Sequence, residues 1–132
     1  MNDKQKIKSL ENRIHRLNEI GMALSTESDT NKLFEMILEE AKKITNADGR
    51  TLYSKDDDGN LKFEILRNDS METIMGGTSG IDISFDPVKL WIDDSTPNQS
   101  NVSAYVALTG ETVNISDAYE EKGFDFSGTK SY

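Results

Sequence analysis

The stretch Thr51 to Leu66, TLYSKDDDGNLKFEIL, constrains the fold more than any other part of the chain. Leu52 and Tyr53 lie on opposite faces of an extended segment, Thr51 to Lys55. Leu61, Phe63 and Ile65 then alternate with Lys62 and Glu64, the period of a half-buried strand. Between them stands Asp56-Asp57-Asp58-Gly59-Asn60, a polar turn in which Gly59 supplies a positive φ. A connection this short joins only antiparallel strands. The chain must therefore build an antiparallel sheet, with Tyr53 placed across from Phe63 on its core face.

Helices are expected on both sides of this hairpin. Residues 4–25 read as one helix, with Ile7, Leu10, Ile14, Leu17, Gly21 and Leu24 at alternating spacings of three and four. Ile7, Ile14 and Gly21 take the a positions of a heptad, and Leu10, Leu17 and Leu24 the d positions. Ile at a with Leu at d favours a parallel two-stranded coiled coil. Lys4, Gln5, Lys6, Lys8, Glu11, Arg13 and Arg16 leave only a narrow apolar seam. The dimer seam is therefore assigned to Ile7, Leu10, Ile14 and Leu17, the alternative being a helix that lies on its own domain. With two strong heptads, the seam needs help from the domain that follows. That domain begins at residue 26, so the chain divides into a dimerisation helix, 1–25, and a second domain, 26–132. Asp29 is placed to cap a second helix. Its stripe Leu33, Ile37, Ala41 and Ile44, widened by Phe34, Met36 and Leu38, is broad enough to face a sheet.

After the hairpin, Ile81 to Phe85 alternates with Asp82 and Ser84 and reads as a third strand. Residues 86–99 contain both prolines, Pro87 and Pro97, and form a long loop with a short turn expected at Val88 to Ile92. Val102, Tyr105, Val106 and Leu108 recur at near-helical spacing. Ser100 or Asn101 can cap that helix, and Gly110 stops it. Thr112 to Ser116 suits a fourth short strand. The tail holds Phe124, Phe126 and Tyr132 without a period. Helices beside an antiparallel sheet make an α+β architecture.

Catalytic chemistry is thinly provided. His15 is the lone histidine and there is no cysteine, so the usual zinc ligand sets cannot assemble. As a calcium loop, the DDDGN turn would put Ser54 first and Ile65 last, and Ile65 cannot supply the bidentate carboxylate. Gly76-Gly77-Thr78-Ser79-Gly80 lacks the lysine and spacing of a phosphate loop. A formal charge of -9 repels nucleic-acid backbones. No run approaches the length of a membrane span, and the start MNDKQKIKSL has no signal-peptide core. These features fit a cytoplasmic, non-enzymatic chain that binds neither nucleic acid nor membrane. Long loops carrying aromatics often line sites. Phe85 and Trp91 of the loop, with Val102, Tyr105 and Val106 of the next helix, are the candidate pocket residues. Ordinary core is the other reading of Trp91.

Two stretches resemble GAF domains. ITNADGRTLYSKDDDGNLKFEILRNDS, Ile44 to Ser70, matches that family's helix end, Ala-Asp-Gly and opening hairpin. VALTGETVNISDAYEEKGFDFSGTKSY, Val106 to Tyr132, matches its helix, Thr-Gly-Glu and Asn-Ile-x-Asp-Ala-Tyr turn. The likeness covers roughly residues 17–132. It implies a central antiparallel sheet with helices packed on it, and a homodimer formed through terminal helices. It also implies a sensory role ahead of an output domain such as an HD-type phosphohydrolase, cyclase or histidine kinase. Some members bind cyclic nucleotides or tetrapyrroles, so a small-molecule ligand is expected, its identity and any cofactor unknown. Without cysteine a bilin cannot be attached, and the cyclic-nucleotide motif cannot be placed residue by residue. The family usually continues with two long apolar strands and a closing helix, which the resemblance implies are missing here. A protein–protein interaction domain without a small ligand is the alternative function.

Overall fold

A computed structural model describes residues 2–117 and 120. Three helices, α1 (Asp3–Thr26), α2 (Thr30–Thr45) and α3 (Val102–Thr109), accompany three strands, β1 (Gly49–Lys55), β2 (Leu61–Asn68) and β3 (Thr73–Gly76). The strands form one sheet in the order β1-β2-β3, with β3 antiparallel to β2. The fold is α+β. Its contacts fall into two compact units, Met1–Leu52 with Ile65–Asp82, and Tyr53–Glu64 with Ile83 onward.

In the first unit, local chemistry sets the helix ends. Asn2 caps α1 reciprocally: Gln5 N donates to Asn2 Oδ1 at 2.8 Å, and Asn2 N donates to Gln5 Oε1 at 3.0 Å. Asp29 Oδ1 caps α2 by accepting from the amides of Asn31 at 3.0 Å and Lys32 at 3.2 Å. Asn46, with φ 55°, closes α2 in the left-handed region. The two helices form an antiparallel hairpin held by an ion pair between Arg16 and Glu40, 2.7 Å.

The face that α2 turns to the sheet differs from the expected one. Leu38 is its buried residue, whereas Ile37 and Ile44 are exposed. The helix is held by charge instead. Glu35 pairs with Arg67 of β2, and Glu39 accepts from Arg50 Nη2 of β1 at 2.9 Å. Asp69, just after β2, takes Lys42 at 2.5 Å and Arg50 Nη1 at 3.1 Å. These anchors rotate the Ile37, Ala41 and Ile44 edge outward.

Arg67 is the centre of the arrangement. Its side chain is only 9% exposed. Its guanidinium donates to the carbonyls of Met75 at 2.7 Å, Leu66 at 2.9 Å and Gly76 at 3.2 Å, as well as to Glu35. Glu35 in turn accepts from Thr78 N at 3.1 Å. Gly77 sits beside this pair at φ +61°, and a Cβ there would collide with Glu35 Oε1 and press on Ile65. This explains a correction to the expected strands. The third strand is Thr73–Gly76, tied to Arg67 through its carbonyls, and Ile81 to Phe85 is not a strand. Gly76, Gly77 and Gly80 all take positive φ and turn the chain away before Ile81.

In the second unit the hairpin is as expected. Gly59 has φ +81°, Asp56 N donates to the Asn60 carbonyl at 2.8 Å, and the Tyr53 and Phe63 rings lie 4.7 Å apart. Phe85 extends the stack, 5.5 Å from Phe63. Each such aromatic pair contributes about 0.5–1.5 kcal/mol beyond its area. Leu61, Phe63, Val88, Leu90 and Ala104 are the buried apolar residues here. Val88 bridges Leu61 and Trp91 bridges Pro97, both in antiparallel fashion, so Val88 to Ile92 carries two isolated bridges with bends at Leu90 and Ile92 rather than the expected turn. Gly110 stops α3 at φ 71°. Asn101 occupies the N-cap position, but its side chain bonds none of the helix amides. Thr112 to Ser116 joins no sheet. The tail residues Phe124, Phe126 and Tyr132 lie outside the described residues.

Candidate functional site

The loop after Phe85 is a built structure. Leu61 and Val88 exchange two backbone hydrogen bonds, 2.8 and 2.7 Å, which tie the loop to the first residue of β2. From Leu90 the chain runs out and returns: Asn98 N donates to the Leu90 carbonyl at 2.8 Å, and Ile92 N to the Thr96 carbonyl at 2.8 Å. Asp93 closes the tip, its Oδ1 accepting from Ser95 N at 3.0 Å and Thr96 N at 2.9 Å. Donation from Ser95, then Thr96, holds the Asp93 carboxyl below the usual aspartate range. At the base, Asn98 is buried yet satisfied. Its Nδ2 donates to the Lys89 carbonyl at 2.7 Å, and its Oδ1 accepts from Ser100 Oγ at 2.8 Å.

This small hairpin presents Trp91 and Ile92, which are 48% and 66% exposed. They wall an open groove of about 850 Å³. Leu61 and Leu90 form its apolar floor, and Ala107 and Leu108 of α3 its far side. Lys55 and Lys89 add positive charge, Asp58 and Asp94 negative charge. An apolar wall with an aromatic face and separated charges of both signs suits an amphipathic molecule.

Of the five residues expected from the sequence, Trp91 lines this groove. Phe85 is packed on Phe63 instead. Val102, Tyr105 and Val106 are half-buried on α3, which gives its next two residues to the groove. Tyr105 Oη donates to Glu111 at 3.2 Å. Partial burial, then the charge of Glu111, raises the Tyr105 phenol above its ordinary value. Lys55, Asn60 and Lys89 were not legible as site residues, because exposed lysines and turn asparagines are common. The Asp-Asp-Ser-Thr run at 93–96 is a local turn signal that points to the tip.

The residues expected to form a dimer seam lie in the first unit. Ile7, Leu10, Ile14 and Leu17 are 56–59% exposed. His15 pairs with Glu19 across one helical turn at 3.0 Å, both well exposed. Among the described residues, no three His, Cys, Asp or Glu side chains converge as metal ligands, and no helix is long and apolar enough to cross a membrane. The chain matches no family model, no curated protein and no solved structure.

Proposed function

We propose that the chain is a non-catalytic regulatory module of the GAF type in a cytoplasmic signalling protein. It dimerises through α1, takes a small ligand in the Trp91 groove, and relays the bound state through its helices to an output domain. The observation that carries this reading is the row of four half-exposed aliphatics on α1. A helix that shows Ile7, Leu10, Ile14 and Leu17 to water wastes about 0.8 kcal/mol for each CH₂ it could bury. A second copy recovers that burial.

A double substitution tests the dimer. Leu10→Asp with Leu17→Asp should convert a dimer to a monomer in sedimentation velocity, and an unchanged mass refutes it. Trp91 is the sole tryptophan, so its fluorescence reports on the groove. Anilinonaphthalene sulfonate, an apolar anion, should quench Trp91, and Lys89→Glu should weaken that effect. The openness of the groove favours the second reading, an interaction and dimerisation domain without a small ligand. On that reading the dye leaves Trp91 emission unchanged while the dimer persists.

A further inference from the structure

Where α1 and α2 run side by side, the first unit holds a groove of its own. Arg13, Arg16 and Leu17 of α1, with Lys43 and Ile44 of α2, line about 540 Å³. Leu17 and Ile44 are 57% and 62% exposed, so each keeps most of its apolar surface in water. Single exposed aliphatics are ordinary on a protein surface. A pair that shares one groove with three cationic side chains is a place where an apolar group and an anion can be held together.

The three cations are unequally engaged. Glu40 accepts from Arg16 Nη2 at 2.7 Å and from Lys43 Nζ at 3.4 Å, which ties the two together and balances one of their charges. Arg13 makes no hydrogen bond or ion pair among the described residues. Its guanidinium offers five N–H donors in a planar fork that fits a carboxylate or phosphate. The field around it favours an anion too. The chain carries a formal charge of -9, yet α1 sets Lys4, Lys6, Lys8, Arg13 and Arg16 against Asp3, Glu11 and Glu19. A basic helix on an acidic chain gathers anions locally. In the heptad frame Arg13 takes a g position and Arg16 a c position, on the flank of the expected seam. The groove is complete within one copy and shares only Leu17 with that seam.

We propose that this groove binds a monomeric, single-chain amphipathic anion of the fatty-acid class. The head group takes the fork of Arg13, with Lys43 beside it, and the alkyl chain lies along Leu17 and Ile44. Two aliphatics in one groove offer a single apolar track, which suits a single chain. The volume lies within the range of about 300–1,000 Å³ that small-molecule sites occupy. The proposal draws neither on the Trp91 groove nor on the dimer.

Isothermal titration calorimetry of the whole chain with decanoate, kept below its micelle-forming concentration, decides it. Decanoate should bind once per chain, and octanoate about threefold or more weaker, since two methylenes leave the apolar track. Decanol, which has the chain without the charge, and acetate, which has the charge without the chain, should not bind at the same concentrations. Arg13→Glu should weaken decanoate binding about fivefold or more, and Arg13→Lys should restore most of it. Helix content by circular dichroism should match the parent, because Arg13 supports no intramolecular bond. Ile44→Asp should weaken binding by a similar factor, and added salt should weaken it in the parent. A parent chain that takes up no decanoate overturns the proposal, as does binding that Arg13→Glu and Ile44→Asp leave unchanged. Co-sedimentation with phosphatidylglycerol vesicles, without uptake of free decanoate, overturns it in favour of a membrane surface. Loss of decanoate binding in Lys89→Glu but not in Arg13→Glu overturns it in favour of the Trp91 groove.

Discussion

Replacing Arg67 by alanine should be among the most damaging single changes in the first unit. The side chain is 9% exposed and its partner Glu35 18% exposed. Removing one member of a buried ion pair typically costs about 3–5 kcal/mol, mostly because the other charge is stranded. Glu35 keeps Thr78 N at 3.1 Å and some access to water, which puts the ionic part at the lower end. The carbonyls of Met75 and Gly76 lose a charged donor as well, but Gly76 keeps Ser79 N at 3.3 Å and Ser79 Oγ at 2.8 Å, so this loss adds little. A total near 3 kcal/mol is a large share of the roughly 5–15 kcal/mol that holds a domain together. With a urea slope of roughly 1–3 kcal/mol per M, the unfolding midpoint should fall by about 1–3 M. Glu35→Ala should cost less, because Arg67 retains three carbonyl acceptors. The double variant should cost less than the sum, since the two residues share one network. Urea melts followed by circular dichroism, with hydrogen exchange on β3, measure all three. If Arg67→Ala shifts the midpoint no more than Glu35→Ala, and β3 amides keep their protection, the carbonyl clamp is refuted.

Asp29→Ala should lower the melting free energy by about 1 kcal/mol, by releasing the two amides that Asp29 caps. Gly59→Ala should cost about 1–2 kcal/mol, because φ +81° lies in the region that a Cβ disfavours, and chemical melts report both. The carboxyls of Asp69, held low by Lys42 and then Arg50, and of Asp48, held low by hydrogen bonds from Ser70, set an acid limit. Their folded pKa values lie below the unfolded ones, so the stabilisation is complete above the ordinary aspartate value of about 4 and is lost as pH falls through it toward the folded values. Thermal midpoints should therefore be flat above that range and decline below it, and Asp48→Asn with Asp69→Asn should flatten the decline.

The parts of the fold that rest on near neighbours were legible in the sequence. Gly59 and the alternation of Leu61, Phe63 and Ile65 give the hairpin, and Asp29 and Gly110 mark helix ends within one turn of their own chain. The parts that rest on distant partners were not. The apolar stripe of α2 pointed to Ile37 and Ile44, whereas Arg67, 32 residues from Glu35, turns that stripe outward. Thr73–Gly76 is too short to display a period and is a strand because Arg67 and β2 hold it. Ile81 to Phe85 has the period, but glycines turn the chain before it. The loop aromatics pointed to Trp91, which lines the groove. The lysines around it could not, since nothing in a lysine's neighbours tells which surface it overlooks.

The missing Cβ at Gly77 also limits which sequences can adopt this fold. A side chain at 77 pushes the Glu35 carboxylate away or calls for a smaller residue at 35, and either takes from Arg67 its charged partner. None of the three positions can drift alone without passing through a less stable protein. Substitutions there should be inherited together or not at all, so a relative that carries alanine at 77 should also lack the acid at 35 and the arginine at 67.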